Sequence, residues 1–265
     1  MKTPGFLDTI RRETVERVKL AKEQSPVEQL SERVRTQRPA LDLKERILSA
    51  EKAPIIAEVK KRSPSQGVIA NTVDAVSVAE AYVKAGAAAI SVLTEPHYFG
   101  GSLEDLERIR TALPDTPLLR KDFILDPYQV VESRAYGADA ILLIHSFVGQ
   151  DRLRKLYWLA LDLGMTPLVE VHNDDEFEGA VRLGAQVIGV NNRDLKTLKV
   201  DLSTSRRLAR MKPASCLLIA ESGISTKDQI AELRSLGYQA FLVGTHLMQS
   251  EAPGQALQTL IEGSP

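Results

Sequence analysis

The sequence has one cysteine, Cys216, one tryptophan, and no excess of either charge. A single cysteine excludes an internal disulfide framework and a cysteine-ligated zinc site. Thirty-four basic residues against 35 acidic ones leave a net charge of -1. No basic field therefore marks the chain for nucleic acid or anionic lipid, and an anionic substrate must be held by local charges. No run approaches the ~18 apolar residues of a membrane span. The amino-terminal stretch, MKTPGFLDTIRRETVERVKLAKE, lacks the apolar segment of a secretory signal. A cytoplasmic protein that binds neither nucleic acid nor membrane is the expectation. His97, His145, His172 and His246 all fall near expected strand ends, but no HxH pair follows the first strand and no aspartate closes the last. A metal-ligand cluster is not expected.

What is present is the composition of a globular domain with ample core: 265 residues, 43% hydrophobic and 26% charged. From Ile55 onward one module recurs. An amphipathic helix ends at a glycine and a short apolar strand follows at once, as in Gly86-AAAISV, Gly137-ADAILLI, Gly164-MTPLVEV, Gly184-AQVIGV and Gly237-YQAFLV. Glycine past a helix end takes the left-handed conformation that other residues resist. The alternation implies parallel strands with crossover helices, and near-continuous apolar strands imply that both sheet faces are covered. Eight strands are expected, over 55–60, 88–93, 117–122, 139–144, 166–171, 186–191, 216–221 and 238–243. Eight such units fit a closed (β/α)8 barrel. A doubly wound open sheet would want a Gly-rich turn after its first strand, and no GxGxxG follows Glu58. The expected fold is an α/β single (β/α)8 TIM barrel with an amino-terminal helical extension. It forms one domain over 1–265, with extra helices in 1–50 and the barrel in 55–265. The extension reads as helices over Phe6 to Glu23, Val27 to Arg38 and Leu43 to Ala50, from apolar residues spaced among charges.

In such a barrel the chemistry gathers where strands end. The strand ends supply Glu58 and Lys60, then Glu95, Lys121, His145, Glu170, Asn191 with Arg193, Glu221 with Ser222 and Gly223, and Gly244 with Thr245. The strand starts read as apolar or small. Glu58 and Lys60 lie two apart, so on a strand they share a face, and a buried carboxylate and amine are costly unless paired or used. SGI after the seventh strand and GTHL after the eighth suggest a phosphate grip. Glycines let the backbone approach, and a short helix from Thr245 presents its amino end. Lys60 is nearest that corner by barrel adjacency, whereas Lys121 and Glu170 lie further round, where carbon chemistry could occur. Arg193 could take a second carboxylate. Phe99 and Phe123 could form an aromatic wall or simply pack their loops.

Taken together, AEVKKRSPSQG (57–67), LTEPHYFGGS (93–102), LRKDFI (119–124), VEVHN (169–173), GVNNRDL (189–195), AESGI (220–224) and FLVGTHLM (241–248) resemble the indole-3-glycerol phosphate synthase family. The resemblance spans first strand to eighth, in order. It implies a lyase of tryptophan biosynthesis that acts on one small phosphorylated substrate and needs no metal or organic cofactor. The implied reaction converts 1-(2-carboxyphenylamino)-1-deoxyribulose 5-phosphate to indole-3-glycerol phosphate, with ring closure and loss of carbon dioxide and water. It makes Lys121 the acid that protonates the ribulose carbonyl. Lys60, Glu58 and Glu170 share the dehydration. Lys60, Ser222, Gly223, Gly244 and Thr245 hold the phosphate. Asn191 and Arg193 sit by the carboxylate and hydroxyls, and Phe99, Phe123 and Leu195 sandwich the anthranilate ring. Ser63 rides a closing loop, and Glu221 supports the constellation. One alternative is phosphoribosylanthranilate isomerase, which would want a cysteine at the end of the first strand, where Glu58 and Lys60 stand. Another is a catalytically silent barrel that only binds a phosphorylated ligand. The sequence is compatible with a monomer.

Overall fold

The computed structural model describes residues 5–63, 67–68, 74–195 and 197–262, leaving out the side chains of 6, 63 and 68. Eight parallel strands close into a barrel. They are β1 (Ile55–Val59), β2 (Ala89–Leu93), β3 (Leu118–Lys121), β4 (Ala140–Ile144), β5 (Thr166–Val171), β6 (Val187–Asn191), β7 (Leu217–Glu221) and β8 (Ala240–Val243). Each expected strand is there, within two residues at either end. The expectation works because glycine punctuates the helix ends: Gly86, Gly137, Gly164, Gly184 and Gly237 all have φ between 76° and 98°. β1 closes the ring by pairing with both β8 and β2, with Glu58 opposite Ser91.

The helices are α1 (Phe6–Gln24), α2 (Val27–Thr36), α3 (Leu43–Leu48), α4 (Ala75–Lys84), α5 (Leu103–Ala112), α6 (Pro127–Ala135), α7 (His145–Val148), α8 (Gln150–Asp162), α9 (Asp174–Leu183), α10 (Ser203–Leu208), α11 (Lys227–Ser235), α12 (Thr245–Met248) and α13 (Pro253–Glu262). The three extension helices stand where expected. Three small elements are not legible in the sequence: α7, a 3-10 turn at Ala209–Met211, and a two-residue antiparallel hairpin that pairs Arg62–Ser63 with Gly67–Val68. Elements this short carry no periodicity to detect.

Charge inside the protein fastens the extension at both ends of the barrel. On the side where strands end, Arg17 of α1 reaches the fully buried Asp122, 2.6 Å away, just past β3. On the side where strands start, Asp139 accepts from Arg110 (2.7 Å), Arg38 (3.0 Å) and the backbone N–H groups of Leu41 and Leu118. The reading of all strand starts as apolar or small is therefore corrected. Asp139 is wholly buried there because four donors satisfy it. Between these anchors, Val18 of α1 and Leu30 of α2 pack with Tyr128 and Ala135 of α6. The Tyr128 hydroxyl donates to the carbonyls of Ala21 and Ser25 at 3.0 and 2.9 Å.

Candidate active site

Residues that alternate along a strand share a face, so a barrel turns every second side chain inward. At the end where the strands stop, this brings Glu58, Lys60, Lys121, Glu170, Asn191 and Glu221 around one cavity of about 360 Å³. That is room for a drug-sized ligand. Phe99, Phe123, Arg193, Leu195, Ser222, Gly223, Gly244 and Thr245 also line it. Of the site residues that the family resemblance implies, only Ser63 lies outside this description, because its side chain is not among the described ones.

Lys121 is the hub. Its ammonium lies 2.6 Å from Glu221 and 3.6 Å from Glu170. Burial alone would lower its pKa, but Glu221, Glu170 and Glu58 outweigh that and hold it above the ordinary lysine value. Burial pushes Glu170 the other way from its partners. Lys121, His172 and Asn191 prevail and keep its carboxyl low and charged. Glu221 is pushed up, by burial first and by Glu170 beside it, against the pull of Lys121. Its second oxygen, Oε1, is buried and has no hydrogen-bond partner among the described residues. Gly189 leaves the space for it, since a Cβ there would overlap that oxygen.

A second pair sits on β1. Lys60 Nζ donates to Glu58 Oε1 at 2.8 Å and to Thr245 Oγ1 at 3.0 Å. It thus bridges the carboxylates to the corner formed by β7 and β8. Burial raises Glu58, but Lys60 and Lys121 prevail and its pKa ends below the usual carboxylate value. In that corner Ser222 and Gly223 follow one another with φ of 65° and 80°. The two glycines serve neighbours as well as any ligand. A Cβ on Gly223 would lie 2.5 Å from Val200, and one on Gly244 would overlap Glu58 Oε1 and lie 2.9 Å from its Cβ. Gly244→Ala must therefore displace Glu58, and Lys60 with it. The expected result is a fall in kcat/KM of about 10²-fold for a stability loss of about 1–3 kcal/mol, read by steady-state kinetics and thermal unfolding.

The wall opposite is aromatic, with Phe99 and Phe123 ring centroids 6.3 Å apart and Phe147 packed behind Phe123 at 5.2 Å, its plane tilted by 56°. Arg193 faces the cavity but also holds its own loop, donating to the Leu198 carbonyl at 3.0 Å.

Two strand-end residues do other work. His145 points away from the mouth: its Nε2 lies 2.9 Å from Gln150 Oε1, beside Gly179 of α9. β4 offers the cavity only Leu142 and Ile144. The polar character of all eight strand ends thus does not translate into eight polar groups in the mouth. Glu95 lines the cavity, yet its oxygens accept from the backbone N–H groups of His97, Tyr98 and Phe99, fixing the turn that carries Phe99. His172, which the sequence suggests only as a metal ligand, instead joins the carboxylates. Its Nε2 is 3.2 Å from Glu170 and its Nδ1 3.2 Å from Glu176. Its two-residue spacing from Glu170 was the available signal. Among the described residues, no group of three or more His, Cys, Asp or Glu is placed to hold a metal.

His172 gives a pH-dependent expectation. Burial opposes its charge, but the carboxylates of Glu170 and Glu176 beside it win and push its pKa from 6.5 to about 10. The folded value exceeds the unfolded one. Its contribution to stability is thus complete below about pH 6.5 and disappears as pH rises through about 10. Denaturant unfolding of wild type and His172→Gln should show a stability gap that is largest near pH 6 and closes toward pH 10. A gap that widens with pH would contradict the assignment.

Comparison with known proteins gives the family. A family model described as indole-3-glycerol phosphate synthase matches residues 7–260. An indole-3-glycerol phosphate synthase from Salinibacter ruber is 45% identical over 257 residues, covering 97% of this chain and 95% of that protein. One from Dehalococcoides mccartyi is 51% identical over 205 residues, 77% of this chain and 79% of that protein. One from Carboxydothermus hydrogenoformans is 42% identical, with 97% and 99% covered. Among solved structures, 3-hexulose-6-phosphate synthase from Salmonella typhimurium superposes with a TM-score of 0.63 at 12% identity, over 78% of this chain and 97% of that one. A 3-keto-L-gulonate-6-phosphate decarboxylase from Vibrio cholerae gives 0.60 at 17%, over 81% and 100%. At those identities the structures speak for the barrel alone. By the match across nearly all of its length, the chain belongs to the indole-3-glycerol phosphate synthase family.

Proposed function

We propose that the chain is a carboxy-lyase that closes the indole ring of 1-(2-carboxyphenylamino)-1-deoxyribulose 5-phosphate. The observation that carries this is the placing of Lys121. Its charged Nζ lies in the cavity floor against Glu221 and Glu170, with the Phe99–Phe123 wall and the Ser222–Gly223 corner lining the same space.

The substrate phosphate sits at the backbone of Ser222, Gly223 and Gly244 with Thr245 and Lys60, and its aromatic ring lies against Phe99, Phe123 and Leu195. Asn191 and Arg193 take the carboxylate and hydroxyls. This points the ketone at Lys121. The ring carbon that bears the carboxylate attacks the ketone carbon, and Lys121 delivers a proton to the oxygen as the bond forms. The carbon–carboxylate bond then breaks, carbon dioxide leaves, and its electron pair restores aromaticity. The new hydroxyl departs as water once protonated, and a base removes the proton that completes the indole double bond. Lys60, Glu58 and Glu170 share those last transfers. Glu170 and Glu58, both held low in pKa, are charged and able to accept a proton at neutral pH. Glu221 keeps Lys121 in position. No cofactor enters these steps.

A single folded unit, acting as a monomer in the cytoplasm, accords with this reading. One hydrophobic core draws on residues from Ile10 to Leu260, and a second, smaller cluster joins Val18 and Leu30 to α6. Among the described residues no helix is long and apolar enough to cross a membrane. The test is turnover: mixing protein and substrate should produce indole fluorescence, whereas tight binding without product would reinstate the silent barrel.

A further inference from the structure

We propose that Asn192 is a positioning residue that sets the shape of the phosphate-binding turn after β7. It does not line the cavity, and only 2% of it is exposed. Yet its side-chain amide spans β6, the turn after β7 and α10. Nδ2 donates to the carbonyls of Glu221 at 3.0 Å and Ser222 at 3.2 Å. Oδ1 accepts from the N–H of Ser205 at 3.1 Å and from its hydroxyl at 2.8 Å. The Asn192 backbone N–H adds a further bond to the Glu221 carbonyl at 2.9 Å. Both amide groups are thus used on both sides, and no other side chain of this size offers two donors and a double acceptor in that plane.

The turn it holds needs holding. Ser222 has φ of 65° without being glycine, and Gly223 follows at 80°. A non-glycine residue persists in that region only where its surroundings over-determine it. Asn192 clamps the carbonyls on both sides of this strained residue. Val200, on the loop between Asn192 and α10, closes over Gly223. Fixed this way, the backbone of Ser222 and Gly223 stays at the cavity wall, where successive N–H groups can form a concave site for an anion. The same clamp fixes the backbone of Glu221, which holds Lys121.

This inference rests on the reading of that corner as the phosphate site, so the experiment separates the two. Inorganic phosphate is tested as a competitive inhibitor, alongside KM and kcat for the substrate, in wild type, Asn192→Ala, Asn192→Asp and Ser205→Ala. Asn192→Ala should raise both the phosphate inhibition constant and KM about tenfold, with kcat falling less. Asn192→Asp should behave like it, because a carboxylate keeps the bonds from Ser205 but faces two carbonyls with no donor. Ser205→Ala removes one of the bonds that orient the amide and should show the same change, two- to threefold as a rough figure. It stands as the decisive variant if the Asn192 replacements fail to fold. Reduced thermal stability with unchanged KM and phosphate inhibition would make Asn192 merely structural and overturn the proposal. Absence of phosphate inhibition in wild type would overturn the phosphate reading itself, and this inference with it.

Discussion

Lys121→Ala is expected to lower kcat by about 10³- to 10⁴-fold, the upper range for loss of a general acid, while affinity for a non-reacting analogue changes little. The asymmetry follows from geometry. Lys121 is seated at the cavity floor by Glu221 and Glu170, whereas the Ser222–Gly223 and Gly244–Thr245 corner and the aromatic wall are built by other residues. Three buried carboxylates, Glu58, Glu170 and Glu221, face three cationic groups, Lys60, Lys121 and His172. Deleting the Lys121 ammonium leaves negative charge in excess, and Glu221, whose carboxyl is already pushed up to about 7, is the group placed to take up a proton. Lys121→Arg makes the distinction sharper. It keeps the charge, but guanidinium cannot give up a proton at neutral pH. Turnover should stay close to that of the alanine variant. Steady-state fluorescence for turnover, and titration with an analogue whose ketone is reduced to an alcohol for binding, read both quantities. Equal loss of binding and turnover would make Lys121 a substrate anchor.

Asp122→Ala is expected to be strongly destabilising, at about 3–5 kcal/mol, the cost of breaking a buried ion pair from one side. Its carboxylate accepts from Arg17 at 2.6 Å, Thr94 at 2.6 Å, the Phe123 N–H at 2.8 Å and Arg120 at 3.1 Å. Burial would raise its pKa, but Arg17 and Arg120 hold it well below the usual carboxylate value. Its folded value lies below the unfolded one, so its contribution is present at neutral pH and lost as the solution is acidified below about pH 4. Without Asp122, Arg120 stays buried with Glu132 as its remaining ionic partner, and α1 loses its anchor on the barrel. For a chain of this size the drop in Tm should be about 10 °C, with the gap to wild type narrowing in acid. A change under 2 °C, on the order of the effect of an exposed pair, would show that Arg17 and Arg120 find other partners.

The inward charges were legible because strand periodicity is strict. Once Ile56 was read as facing the core, Glu58 and Lys60 had to follow, and the same rule brought Lys121, Glu170 and Glu221 to one mouth. Which carboxylate meets which lysine was not legible. Lys121 lies closer to Glu221, four strands away around the ring, than to Glu170, two strands away. Strand order does not decide that; barrel stagger and side-chain length do. The outward neighbours Arg120 and Asp122 were missed for a related reason. Their partners, Arg17 and Glu132, come from helices whose rotation over the barrel no local pattern reports. His145 misled because it ends a strand but begins α7, and the helical turn swings it outward. Asn192 escaped notice because Asn191 and Arg193, on either side, look more chemical.

The most direct test of the account is the mass balance of the wild-type reaction in EDTA. Carbon dioxide released and indole-3-glycerol phosphate formed should both equal the substrate consumed. Carbon dioxide without indole, or substrate bound and returned unchanged, would contradict it.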